Sequence, residues 1–180
     1  SQDAKSYHAF LQGVLKPEHT RFVMKSEQIK DLGHYQLHIR RLLHRSKTKL
    51  RQGQLDIRDE LAVLATLEFD LFQNERLEYI ELQAIQALYQ QDWVELKEKL
   101  REAELLLRKV GNHWLGFQFD RLRNQLAIEL GQDGKMYAKK ASNKLRQLLE
   151  NLPVELRQDF LKHQFYFAQD DGIKEQMHYE

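Results

Sequence analysis

His34 and His38 stand four residues apart in a stretch of helical periodicity, so their imidazoles share one face with the spacing of a metal-ligating pair. Asp31, one turn earlier, is a candidate third ligand. The same face also carries Glu27, Arg41 and Arg45, with acids preceding bases along the helix. That order complements the helix dipole and sets up favourable pairs between successive turns. No His-Glu-x-x-His motif accompanies the histidines. The stripe lies opposite Ile29, Leu32, Ile39 and Leu43, so it is expected to face water as a charge ladder. No metal and no cofactor are expected.

Other catalytic chemistry finds little material. The five serines (Ser1, Ser6, Ser26, Ser46 and Ser142) include none in a Gly-x-Ser-x-Gly elbow. No glycine-rich phosphate loop occurs, and the absence of cysteine excludes thiolate nucleophiles, thiolate metal sites and disulfides. Asp170 and Asp171 are adjacent carboxylates in an expected frayed tail, where burial to tune a pKa is not anticipated. A binding protein is expected rather than an enzyme.

Two groups of residues are candidates for contact with a partner. Arg40, Arg41, Arg45, Lys47, Lys49 and Arg51 form a basic block with no acid between them, interleaved with His38 and His44. Such a block can meet a polyanion, but no helix-turn-helix spacing or paired aromatic motif accompanies it. It can equally pair with the acids that follow. Residues 32–55 carry a net +6 and residues 56–104 a net −8, while 105–150 carry +5 and 151–180 carry −3. The aromatic group comprises Trp93, Trp114, Phe117, Phe119 and the run Phe165-Tyr166-Phe167. Trp93 and Phe119 are expected to seal gaps between helices. Trp114, Phe117, Phe165 and Phe167 do not share one apolar stripe and are candidate partner anchors, together with Arg40, Arg41, Arg45, Lys47 and Lys49.

The elements that must position these residues are helices. In 180 residues there are two prolines and eight glycines, with 42% hydrophobic and 31% charged residues. Apolar positions recur at three- and four-residue steps throughout, and no stretch alternates with period two. Short helices are expected over 5–15, ending at Pro17, and from about Glu18. Longer ones follow over 26–50, 56–73, 77–90, 92–110, 112–130 and 135–150, with Asn74 as a break and N-cap. Asp92-Trp93-Val94-Glu95 reads as a capping box, and Leu96, Leu100, Ala103, Leu107 and Val110 form the cleanest helical stripe in the chain. Leu152-Pro153 opens a closing helix with Leu156, Phe160 and Leu161.

Three breaks, Gln52-Gly53, Gln91-Asp92 and Gln132-Asp133, punctuate this pattern at spacings of 39 and 41 residues from Gly53 to Asp92 to Asp133. Each separates two helical stretches, which predicts hairpins over about 26–73, 75–110 and 112–150, a cap over 153–165 and a frayed tail over 171–180. Residues 1–170 are thus expected to form one helical-repeat domain. No apolar run is long enough for a bilayer span, and no signal-peptide core opens the chain. The lack of cysteine fits a reducing, cytoplasmic setting. The start at Ser1 without methionine fits a segment of a larger protein.

Ala84 and Ala103 flank the Asp92-Trp93 turn, and Trp114 follows at the start of the next hairpin. This arrangement over residues 77–114 resembles the tetratricopeptide repeat, whose paired helices pack closely at small residues. Ala87 replaces the usual aromatic, no proline follows the second helix, and the spacing near 40 exceeds the family's ~34. HEAT-like or other hairpins therefore stay open. The resemblance implies an all-α fold of antiparallel hairpins in a short right-handed array that binds another protein or peptide. The alternative, which rests on the basic segment 38–51 and not on the resemblance, is a nucleic-acid-binding regulator. The closing Leu152-Pro153-Val154-Glu155-Leu156-Arg157 and Phe160 resemble the ends of helical-repeat regions in bacterial signalling regulators. That implies a docking module attached to an ATPase, kinase or transcription factor.

Overall fold

The computed structural model describes residues 32–67, 71–157 and 160, with the side chains of 32–35 and 51 set aside. Among the described residues the chain is all-helical, with no strand. The expectations for residues 1–31 and for Phe165, Phe167 and the tail lie outside the described residues. Six helices follow in order: α1 (Leu32–Arg51), α2 (Arg58–Thr66), α3 (Gln73–Gln90), α4 (Trp93–Val110), α5 (His113–Glu129) and α6 (Lys135–Glu150). A further turn of helix covers 154–157, after Pro153. None of these helices is long and apolar enough to cross a membrane. The chain divides into two compact units at Leu82 and Gln83, within α3.

In the first unit, α1 buries Ile39, Leu43, Ser46 and Leu50 at successive four- and three-residue steps. The Ser46 hydroxyl is satisfied within the helix, donating to the Leu42 carbonyl at 2.9 Å. α2 buries Ile57 at its start and Leu64, and the first half of α3 buries Leu77, Tyr79, Ile80 and Leu82.

The helix expected over 56–73 is shorter than its pattern. It stops at Thr66, and Phe72, inside the expected span, is 61% exposed. Nor is Asn74 the N-cap of α3: it lies inside the helix, and Phe72 holds the cap position. There the Glu75 carboxylate reaches back to accept from the Phe72 backbone N–H at 3.2 Å, half of a capping box.

Three turns share one backbone solution. Gly53, Gln91 and Gly131 are left-handed, with φ of 77°, 57° and 65°. Each donates its N–H three residues back (to Leu50, Leu88 and Ile128), and the next residue donates five back (to Lys49, Ala87 and Ala127). This paired pattern is the Schellman motif, which satisfies the last carbonyls of a helix. Glycine adopts it without strain at two of the three turns, whereas Gln91 pays the Cβ penalty of a left-handed conformation. Asp92 follows directly and caps α4, its side chain accepting from the Glu95 N–H at 3.0 Å. Gly111 ends α4 with φ 67°, and Asn112 caps α5 by accepting from the Leu115 N–H at 3.0 Å.

The second unit is centred on α5, where twelve of seventeen residues are buried. α4 packs Leu96, Leu100 and Ala103 inward, matching the stripe read from the sequence. α5 and α6 run antiparallel: Gly116 and Asp120 lie level with Lys144, and Asn124 lies level with Gly134. Gly134 must be small, because a Cβ there would collide with the Asn124 side-chain oxygen. Phe117, Ala138, Ala141 and Leu145 form the core of this pair, with Trp114, Leu148, Leu149 and Phe160 packed around it.

Candidate functional site

Much of the basic block of α1 is turned toward carboxylates: Arg45, Lys47 and Lys49 are partly buried, whereas Arg40 stays exposed. Glu60, Glu75 and Glu81 project from α2 and α3 as buried carboxylates, and a buried charge is tolerated only when paired. Their partners come from α1. Lys49 Nζ meets Glu60 Oε1 at 2.5 Å, and Arg45 approaches the same oxygen at 3.4 Å. Lys47 reaches Glu78 at 2.7 Å and Glu81 at 3.4 Å. Arg40 stands 3.4 Å from Glu75.

The stripe expected to be solvated is therefore partly a packed face. His38, Arg41 and Arg45 are half-buried, because α1 presents its flank as well as its apolar stripe to the following helices. Burial, and secondarily the Arg41 charge, pushes the His38 imidazole below its usual value. Burial, then the charge of Arg45, also lowers Arg41. No cluster of three His, Cys, Asp or Glu able to hold a metal occurs among the described residues.

The aromatic candidates lie in the second unit. Phe117 is fully buried in the α5–α6 core, so the sequence reading that offered it to a partner is corrected. A helix buried on all sides has no solvent stripe, and Phe117 occupies the face that meets Ala138, Ala141 and Leu145. The buried Arg121 guanidinium lies 5.4 Å from its ring centroid and donates to Gln118 Oε1 at 2.6 Å. Trp114 is half-buried, its ring 5.4 Å from both Phe117 and Phe160, tilted 45° to the first and nearly perpendicular to the second. Trp93 is half-buried and Phe119 fully buried, in keeping with a sealing role.

A different set of residues forms a groove within the second unit. A hollow of about 710 Å³ is bordered by Glu104, Leu107 and Arg108 of α4, by Asp120 and Arg123 of α5, and by Met136, Tyr137, Lys140 and Lys144 of α6. A further hollow of about 300 Å³ continues it along α4, sharing Glu104, Arg123 and Tyr137 and adding Lys97, Leu100, Arg101 and Leu126.

Asp120 anchors the floor. It is almost fully buried and accepts from Arg123 at 2.9 Å and from Lys144 at 2.5 Å. Arg123 also donates to the Leu100 carbonyl at 3.1 Å and lies 3.7 Å from Glu104, tying α4 to α5. At the rim, Arg108 pairs with Glu104 at 2.8 Å. This hydrogen bond, with the Arg123 charge, holds the Glu104 carboxyl below the usual range. Lys140 sits over the Tyr137 ring at 5.9 Å. Lys97 and Arg101 are exposed and form no ion pair with any described residue.

The joined groove thus holds six cations (Lys97, Arg101, Arg108, Arg123, Lys140 and Lys144) against two carboxylates. Sequence reasoning singled out none of them. The signal was the +5 balance of residues 105–150, but the cations of α4 and α6 stand some forty residues apart and carry no shared motif. Chemically, the arrangement offers fixed positive charge beside the apolar surfaces of Leu107 and Met136. Compared with known proteins, the chain matches no family, no curated protein and no solved structure.

Proposed function

We propose that the chain is a protein-interaction module, a short tetratricopeptide-like array of antiparallel helical hairpins that holds a segment of another protein in the α4–α6 groove. It would act by binding, without a catalytic step, as the regulatory part of a larger bacterial signalling protein in the cytoplasm. The observation that carries this reading is the groove, two adjoining hollows that share Glu104, Arg123 and Tyr137, walled by three helices over an ion-pair network on Asp120. A floor fixed by ion pairs suits recognition, because its side chains need little ordering at the moment of binding.

The repeat reading draws support from the recurrence of one turn geometry at Gly53, Gln91 and Gly131, 38 and 40 residues apart. Ala84 and Ala103, the small residues that carry the family resemblance, are both fully buried. The nucleic-acid alternative through residues 38–51 draws less support, because Arg40, Arg45, Lys47 and Lys49 already face carboxylates.

A photo-crosslinking side chain at Asn143, which lines the groove, tests the reading in the source cells. Crosslinks to a discrete protein partner are expected there, and not from the same group at Glu150, exposed on the same helix outside the groove. Equal labelling at both positions, or none at either, would overturn it.

A further inference from the structure

Resting on that reading, we infer that the groove takes an acidic peptide segment of its partner, with carboxylates at the rim cations and an apolar side chain against Leu107 and Met136. The charge argument rests on what each cation already does. Arg123 and Lys144 are committed to Asp120 in the floor, and Arg108 is held only by an exposed pair with Glu104. Lys97, Arg101 and Lys140 have no carboxylate in ion-pair contact among the described residues, and they line the two adjoining hollows. Electrostatic complementarity of this kind sets partner choice and the rate of encounter.

The apolar component separates a peptide from a nucleic acid. Met136 is exposed beside Leu107 and offers an adaptable surface for a leucine or phenylalanine side chain. A strand of bases needs aromatic platforms. The groove's lining offers one tyrosine, Tyr137, already covered by Lys140, and one imidazole, His113, rather than a row of stacking rings. A continuous phosphate backbone would also run past Glu104, whereas discrete carboxylates can avoid it.

The test is a fluorescence anisotropy titration of the whole chain with a short labelled peptide of glutamates flanking leucine and phenylalanine. Saturable binding is expected, weakening about tenfold as salt is raised from about 0.05 M to about 0.5 M. Arg101→Glu and Lys140→Glu should each weaken it by about tenfold. Lys139→Glu, an identical charge change on the exposed surface outside the groove, should leave it within about twofold.

Equal affinity for the peptide with glutamine in place of glutamate would sink the acidic assignment while leaving the groove as a docking site. An oligodeoxynucleotide that binds more tightly, and is lost with the same two variants, would assign the groove to nucleic acid and overturn the inference. A dimer by light scattering that reverts in Lys140→Glu would give the groove to a second copy and overturn it too. If no peptide binds while Asn143 still crosslinks a protein, only the acidic inference fails; if Asn143 labels nothing as well, both readings fail.

Discussion

α1 and the α4–α6 groove are both basic in sequence, yet the structure uses their charge in opposite ways. In the first unit the cations of α1 close on Glu60, Glu75 and Glu81, carboxylates buried by α2 and α3. In the second, one buried carboxylate, Asp120, is met by Arg123 and Lys144, and further cations line the rim. What separates them is the ratio of buried acid to nearby base. A run of lysine and arginine is structural where the next helices supply carboxylates, and available where they do not.

The largest effect should come from the aromatic that proved to be core. Phe117→Ala removes a fully buried ring against Ala138, Ala141 and Leu145, and should cost about 3–5 kcal/mol in urea denaturation. A loss below about 1 kcal/mol would return Phe117 to the surface.

Next is the charge contrast itself. Lys49→Met leaves the buried Glu60 with Arg45 alone and should destabilise by about 2 kcal/mol, less than a fully buried pair because Lys49 stays partly solvated. Arg101→Ala in the groove should stay within about 0.5 kcal/mol, since no ion pair is lost. Adding Glu60→Gln to Lys49→Met should recover part of the loss, because the unpaired charge is then gone. Equal costs at Lys49 and Arg101 would erase the distinction between the two regions.

How much of this was legible follows from the range of each interaction. The α4 stripe of Leu96, Leu100 and Ala103 and the Asp92 cap are local, and period and cap chemistry reveal them directly. The Gly53 and Gly131 turns were legible for the same reason. Asn74 misled because a cap-forming residue stood near a break, while Glu75 supplied the cap from inside the helix. Phe117 misled because α5 is buried all round and carries no amphipathic stripe to read. Lys47 finds Glu78 across 31 residues, and Lys144 finds Asp120 across 24, distances over which a charge tally shows only balance and never pairing. The groove cations belong to this last class.

The turns carry the comparison to the backbone. Gly53 in the first unit and Gln91 in the second adopt the same left-handed position, one without strain and one with it. Gln91→Gly should stabilise by about 1 kcal/mol, and Gly53→Ala should destabilise by about the same amount, although open space surrounds Gly53. If both changes prove neutral in thermal denaturation, the turns are less tightly held than their hydrogen bonds indicate.

The smallest effect separates the units by pH. His38 in α1 is held below its usual value by burial, with Arg41 adding to it, so the unfolded chain binds its proton more readily than the folded one. Its contribution is present above the unfolded pKa of about 6.5 and is lost as pH falls through the lower folded value. Glu104 at the groove is also depressed, first by the Arg108 hydrogen bond and then by Arg123, so its contribution is lost only at more acid pH, below the ordinary carboxylate range. Being largely exposed, Glu104 should contribute little at high salt. Acid titration of stability should therefore show a shallow loss below about pH 6.5 that His38→Gln removes, and a separate acid component that Glu104→Gln reduces. A loss near pH 6.5 that survives His38→Gln would place the titrating group elsewhere and break this division.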